Sequence, residues 1–508
     1  VQSVAIIDLG SNTARLVALE FEPERRFRMV DELRQLVRLS EGMGEERVIR
    51  PEPFERAIDA LRTFRSYCDA ARIRHVRATT TSAVRVAVNG DAFLKAARER
   101  AGVDLRVLSG EEEAGAGVLA VANSLPVSDA VVFDLGGGSM QVSAMRDRRF
   151  RVGRAYPFGA VRATEEYLST DPPKPKQVKA LTRAVRHALE DDLARLPRGA
   201  PVVGMGGTLR NLANVVQQAD GYVPQLLHGY RLKRNRLAAL VDDLLAMPLD
   251  ARRALGGLNR DRADIIVAGG IVIRTLLELL QADEVVISGQ GLREGLFYPY
   301  LFPRGDHLAP DVRDFSVWNL EREYQGRPEH DGHVRDLAVQ LFDDLRPRHG
   351  FGEAERRLLA AAAVVHDVGM VIDYYAHHKH GMYLVMGRPL AGFEHREQAI
   401  IALLVRYHRR GTPSEQGLGA VLEAGDMQRV RVLSGILRMA EYLDRAKSQR
   451  IEAVTCEDAL ASPLRIEAWS KTDAHVEVEM AQVRSELLAD ALGVPIDVVP
   501  ATAPAVRS

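Results

Sequence analysis

The sequence predicts an α/β chain made of two related blocks, followed by a mostly helical module and a small α+β tail. Three observations carry this reading. Apolar runs of strand length alternate with helical stretches from Val4 to about Leu301. The stretch VAIIDLGSNT near the start is echoed by VVFDLGGGSM at residues 131–140. Beyond residue 311 nearly everything has helical spacing, and nine of the fourteen histidines fall between His330 and His408.

In the first block, 1–128, VAIIDLG and LRVLSG read as strands, while residues 54–73 and 91–101 carry helical spacing. The second block, 129–303, has strand-like VVFDLGG, PVVGMGG and EVVISGQG. FPRGDHLAP at 302–310 reads as a linker. The helical module spans 311–455. The appendage at 456–508 contains an alternating run, DAHVEVEM at 473–480, that reads as a strand. The matched Asp-Leu-Gly pair points to a duplicated unit whose copies face each other across a cleft.

Composition excludes several classes. With 46% hydrophobic and 27% charged residues the chain is globular, and a net charge of -1 gives no overall attraction to nucleic acid or membrane. No apolar run reaches the roughly 18 residues of a membrane span. Two distant cysteines, Cys68 and Cys456, fit a reducing cytoplasmic setting without disulfides.

The motifs carry the chemistry. Gly136, Gly137 and Gly138 before Ser139 allow successive backbone N–H groups to cradle an anion. A carboxylate beside such a cradle repels a phosphate unless a cation intervenes, so Asp8 and Asp134 imply Mg²⁺. LSGEEEAGAG places Glu111, Glu112 and Glu113 at the start of a helix. Acidic residues there are electrostatically favoured in any protein, and one of them can equally be the general base for an attacking water.

Six stretches in order, IDLGSNT, TTTSAVRVAVNG, LSGEEEA, VFDLGGGS, GMGGTLRNLA and SGQGLREGL, closely resemble the exopolyphosphatase/guanosine pentaphosphate phosphohydrolase (Ppx/GppA) family. The resemblance implies duplicated ribonuclease-H-like domains of the actin, sugar-kinase and Hsp70 superfamily. It implies Glu113 as catalytic base with Glu112 beside it, and Arg85 and Arg262 facing the phosphate. Ser11, Asn12, Ser139 and the glycine amides would hold terminal phosphates, as would Gly206, Gly207 and Thr208 of the GMGGT stretch. It further implies a cytoplasmic homodimer acting on polyphosphate or guanosine pentaphosphate. One departure stands out: family members usually carry glutamate two residues after the GGGS serine, where this chain has Gln141.

In the helical module, His333, His366, Asp367 and Asp444 have the order of an HD domain and suggest a transition-metal site, with His380 as an additional position. His330, His349, His377, His378 and His395 read as structural. Basic runs RLKRNR, RDRRFR and RYHRR either line a polyanion channel or are solvated faces. The leading expectation is therefore a Mg²⁺-dependent exopolyphosphatase or pentaphosphate phosphohydrolase. The alternatives are a kinase, an actin-like nucleotide switch, and an HD-type nucleotide phosphohydrolase.

Overall fold

The computed structural model describes residues 1–193, 196–197 and 199–501. The chain divides into two compact units, Val1–Pro310 and Asp311–Ser508.

The first unit contains two sheets of matching design. Strands β1 (Gln2–Leu9), β2 (Thr13–Glu22), β3 (Arg26–Leu36), β4 (His75–Thr80) and β5 (Leu105–Val107) lie in the order β3-β2-β1-β4-β5. Strands β6 (Ala130–Leu135), β7 (Met140–Arg146), β8 (Arg149–Tyr156), β9 (Val202–Met205), β10 (Arg231–Lys233) and β11 (Glu284–Ile287) lie in the order β10-β11-β9-β6-β7-β8. In each sheet the first strand pairs antiparallel with its hairpin partner and parallel with the next strand along: β1 with β2 and β4, β6 with β7 and β9. The first strands are continuous apolar runs because both faces are covered; Val4 to Ile7 and Val131 to Phe133 are all buried.

The repeat extends to single hydrogen bonds. Gly10 N donates to Thr13 O at 3.1 Å, and Gly136 N donates to Ser139 O at 3.0 Å. Asp8 therefore sits opposite Arg15 in one hairpin, as Asp134 sits opposite Gln141 in the other.

The expected blocks 1–128 and 129–303 do not stand apart. The helix Leu292–Leu301, last in the second block, packs against the first. Phe297 meets Phe21 edge-on at 5.6 Å and Phe27 at 5.3 Å, and Glu24 N donates to Leu301 O at 2.7 Å. Gly295 lies so close to the Ala116 carbonyl that a side chain there would overlap it. One compact unit results.

The second unit is helical, with helices Pro328–Asp344, Glu353–Val365, His377–Met386, His395–Tyr407 and Asp426–Leu443 around one core. A three-stranded sheet follows: β12 (Ala453–Thr455), β13 (Leu464–Trp469) and β14 (Ile496–Ala501), in the order β12-β13-β14. Ile466 and Val498 of this sheet share the core with Leu341, Val365, Ile401 and Leu437. The tail is thus packed into the helical module rather than appended to it.

The strand expected at 473–480 is a helix, His475–Arg484. Its buried residues, Glu477 and Ala481, are one helical turn apart, while Val476 is 56% exposed. The valines that suggested alternation do not build a buried face. Among the described residues no helix is long and apolar enough to cross a membrane.

Candidate active site

A cleft of about 130 Å³ lies where the two hairpin turns of the first unit meet. Its wall includes Asp8, Ser11, Asn12, Asp134, Gly136, Gly137, Gly138, Ser139, Gly206 and Gly207, as well as Glu113 and Arg262. The turns touch across it. A Cβ on Gly137 would lie 3.1 Å from Asn12 Cβ, and one on Gly138 would lie 2.7 Å from Ser11 Oγ. Glycine is required here by close approach, which leaves the turn amides bare.

Glu113 is placed by local helix physics. Ser109 Oγ accepts from Glu112 N at 3.1 Å, and the Glu112 carboxylate accepts from Ser109 N at 2.8 Å, closing a capping box at the start of the Gly110–Ala122 helix. That box turns Glu112 outward, where it also pairs with Arg106. Glu112 is a helix cap and does not line the cleft, contrary to the sequence expectation. Glu113, next around the helix, faces in.

The Glu113 carboxylate is held at both oxygens. Arg85 donates to Oε1, and Gln141 Nε2 donates to Oε2 at 3.0 Å. Arg85 also donates to Leu108 O at 2.5 Å and does not itself line the cleft, so it fixes Glu113 from behind. Burial pushes the Glu113 carboxyl up to about 7; Arg85 opposes this, and the Asp8 and Asp134 charges add to it. Burial likewise raises Asp8 to about 6 against the pull of Arg293 and Arg15. Asp134 is raised by burial, with Arg210 lowering it. Asp8 Oδ1 and Asn12 Nδ2 are buried without a hydrogen-bond partner.

Four guanidinium groups line the same cleft: Arg15, Arg210, Arg262 and Arg293. Arg15 and Arg293 both pair with Glu32, at 3.1 and 2.5 Å. Arg210 donates to Gly289 O at 3.0 Å. Burial and its arginine neighbours lower Arg262 to about 10. Its guanidinium lies directly against Gly207, where a Cβ would overlap it. Of the four, only Arg262 is among the residues expected from sequence. Arg15 occupies on β2 the place Gln141 has on β7, and Arg210 and Arg293 sit in the first turns of helices following glycine motifs.

Thr208 does not line the cleft. It lies behind Gly207, with its methyl against Gly269, and Oγ1 has no hydrogen-bond partner. An adjoining pocket of about 150 Å³ shares Ser11, Ser82 and Gly138 with the cleft and adds Met43, Val86, Arg47 and Arg162. In the RLKRNR run, Arg231 and Lys233 pair with Glu284, Arg234 with Asp283 and Arg236 with Asp220. Arg149 and Arg151 of RDRRFR pair with Asp306 and Asp147.

In the second unit the expected quartet is corrected. His333 Nε2 bonds to Ile451 O at 2.8 Å and joins no ligand group. His330 takes its place: it contacts Asp444 through Nδ1 at 2.7 Å and groups with Asp331, His366 and Asp367. A second group comprises Asp367, His377 and His408. Neither His380 nor Asp444 belongs to a group. Burial drives His366 down to about 4 and His408 well below its ordinary value, so both rings are neutral. Asp367 is held well below the carboxylate range: burial opposes this, but His366 and Lys447 outweigh it.

Comparison with known proteins agrees with both units. Residues 18–302 match the Ppx/GppA phosphatase family, and residues 312–483 match Ppx/GppA phosphatase domain III. The guanosine-5'-triphosphate,3'-diphosphate pyrophosphatase of Aeromonas hydrophila is 27% identical over 469 residues, 91% of this chain and 92% of that protein. The protein of the same name from Vibrio vulnificus is 25% identical over 452 residues, 88% of each. The crystal structure of a Ppx/GppA family member from Aquifex aeolicus superposes with a TM-score of 0.51 at 28% identity, covering 58% of this chain and 96% of that one. An exopolyphosphatase from Cytophaga hutchinsonii shares the fold, with a TM-score of 0.56 at 24% identity over 60% of this chain and 99% of its own. The duplicated hairpins, the inward-facing Glu113 and the matches across both units lead to one conclusion: the chain belongs to the Ppx/GppA phosphatase family.

Proposed function

We propose that the cleft hydrolyses the terminal phosphoric anhydride of guanosine pentaphosphate or inorganic polyphosphate. The observation that carries this reading is the placement of one buried carboxylate, Glu113, among arginines and two glycine turns.

Phosphoryl transfer needs positioning and neutralised charge more than covalent help. The turn amides of Gly136 to Ser139 and of Ser11 and Asn12 hold the non-bridging oxygens of the terminal phosphate. Arg262 and Arg210 offset the charge that builds there. The amino end of the Gly207–Ala219 helix adds its dipole. Glu113 takes a proton from water as the water oxygen bonds to phosphorus and the bridging P–O bond breaks. The products are orthophosphate and a substrate one phosphate shorter. A base whose pKa lies near neutrality suits that role. The remainder of the substrate extends toward the adjoining pocket, whose lining carries Arg47 and Glu165 beside an Arg162–Glu166 ion pair.

The donor set fits Mg²⁺. Two buried carboxylates, Asp8 and Asp134, are each pushed toward protonation, and Asp8 Oδ1 has no partner. Together they would hold the ion, which would neutralise phosphate oxygens.

The test is phosphate release measured side by side on long polyphosphate, short polyphosphate and guanosine pentaphosphate, without any acceptor alcohol. Release from at least one is expected, reduced roughly 10²–10⁴-fold in Glu113→Gln. No release from all three, or full activity in that variant, defeats the proposal.

A further inference from the structure

Four imidazoles surround the Asp367 carboxylate in the second unit. Asp367 Oδ1 lies 3.3 Å from His377 Nε2, 3.7 Å from His366 Nε2 and 3.9 Å from His408 Nε2. His330 Nε2 lies 3.9 Å from Oδ2. Each ring has its other nitrogen tied to an acceptor. His366 Nδ1 meets Ala363 O, His377 Nδ1 meets Tyr374 O and His408 Nδ1 meets Val405 O, all at 2.7 Å; His330 Nδ1 meets Asp444 Oδ2 at the same distance.

A carbonyl or carboxylate oxygen demands a hydrogen on Nδ1, so each Nε2 of a neutral ring carries a bare lone pair. This is how metal-ligating histidines are held, with the outer nitrogen anchored and the inner one aimed at the ion. Two of the inner nitrogens, His330 Nε2 and His366 Nε2, are buried with no hydrogen-bond partner. The other two face each other: His377 Nε2 and His408 Nε2 stand 3.0 Å apart. That separation is held either by one proton shared between the two nitrogens or by one metal ion bound to both lone pairs. Two metal–nitrogen bonds of about 2.1 Å meeting at a right angle span about 3.0 Å. Lys447 donates to Asp367 Oδ2, which leaves Oδ1 as the oxygen turned toward these rings.

We propose that Asp367, His377 and His408 form a binding site for one divalent first-row transition-metal ion, separate from the Mg²⁺ proposed for the carboxylates of the first unit. Asp367 binds through Oδ1 and the two imidazoles through Nε2, a mixed nitrogen and oxygen donor set that suits such an ion.

The test uses the full chain, stripped with a chelator, dialysed, and titrated with Co²⁺ in excess Mg²⁺. One equivalent should bind, with visible bands of nitrogen- and oxygen-ligated Co²⁺. The wild-type complex should show paramagnetically shifted exchangeable protons from the Nδ1–H groups of the bound rings, a readout independent of any variant's folding. His408→Ala should weaken binding at least tenfold, and His333→Ala should bind as the wild type does. Absence of saturable Co²⁺ binding by the wild-type chain overturns the proposal. So does a complex without shifted imidazole protons, or a folded His408→Ala with unchanged affinity.

Discussion

Gln141 donates from one nitrogen to both Glu113 Oε2, at 3.0 Å, and Ser139 Oγ, at 2.9 Å. A single amide thereby orients the proposed base and a hydroxyl of the phosphate turn. Gln141→Glu replaces that donor with a second carboxylate beside Glu113. Like charges disfavour each other's ionisation, so the midpoint of the rising limb of the pH–rate profile should move upward by on the order of one unit. Half-saturation by Mg²⁺ should occur at lower concentration. A pH–rate series on both proteins checks this, and an unmoved midpoint contradicts it.

Glu113 also makes a prediction about stability. Its folded pKa is raised to about 7 from 4.5, mainly by burial. The protonated form is therefore favoured in the fold, and its contribution is complete below about 4.5 and lost as pH rises through about 7. Glu113→Gln cannot ionise. In Mg²⁺-free buffer it should melt above the wild type on the alkaline side of that window, and the gap should close on the acid side. Thermal melts across the range measure it.

Gly207 and Arg262 should behave as one element. Arg262→Ala is expected to lower kcat by roughly 10²–10³, the usual cost of removing one preorganised positive group. Gly207→Ala drives a methyl into the guanidinium and should approach the same loss. The double variant should be no slower than the worse single one, since both remove the same interaction. Additive losses in a double-mutant cycle would refute the coupling.

Asp8→Asn should raise the Mg²⁺ concentration needed for half-maximal phosphate release at least tenfold and leave Co²⁺ binding in the second unit unchanged. Asn keeps an oxygen but removes a charge from a buried carboxylate pair. Mg²⁺ titration of activity, run beside Co²⁺ titration of the same protein, reads both.

Much of the first unit could be read from short-range pattern. Asp8 and Asp134 end strands whose continuous apolar runs mark burial on both faces, and the glycines after them announce tight turns. Glu113 was reached only through the family resemblance, which kept Glu112 beside it; the Ser109–Glu112 capping box that ties Glu112 to the helix end shows in the structure. Arg15, Arg210 and Arg293 were not assigned, since they meet only after a strand and two helices from distant parts of the chain converge. His330 and His333 show a second kind of limit. They lie three residues apart on the same helix, nearly one turn, so spacing alone favours neither. Packing decides: His330 is buried against Asp444, while His333 reaches the Ile451 carbonyl. The run at 473–480 misled because four alternating positions are too few to outweigh Glu, Met, Ala and Gln, all good helix formers.

The helix Leu292–Leu301 has a consequence for how this molecule comes into being. Although the halves repeat one design, the aromatic side of the N-terminal hairpin, at Phe21 and Phe27, receives its cover from Phe297. A ribosome that has released only the earlier copy has made a piece whose Phe21 and Phe27 lack the ring that covers them in the finished fold. The internal repeat is kept in the strand order, while the cover of the earlier copy's hairpin comes from the last helix of the later one.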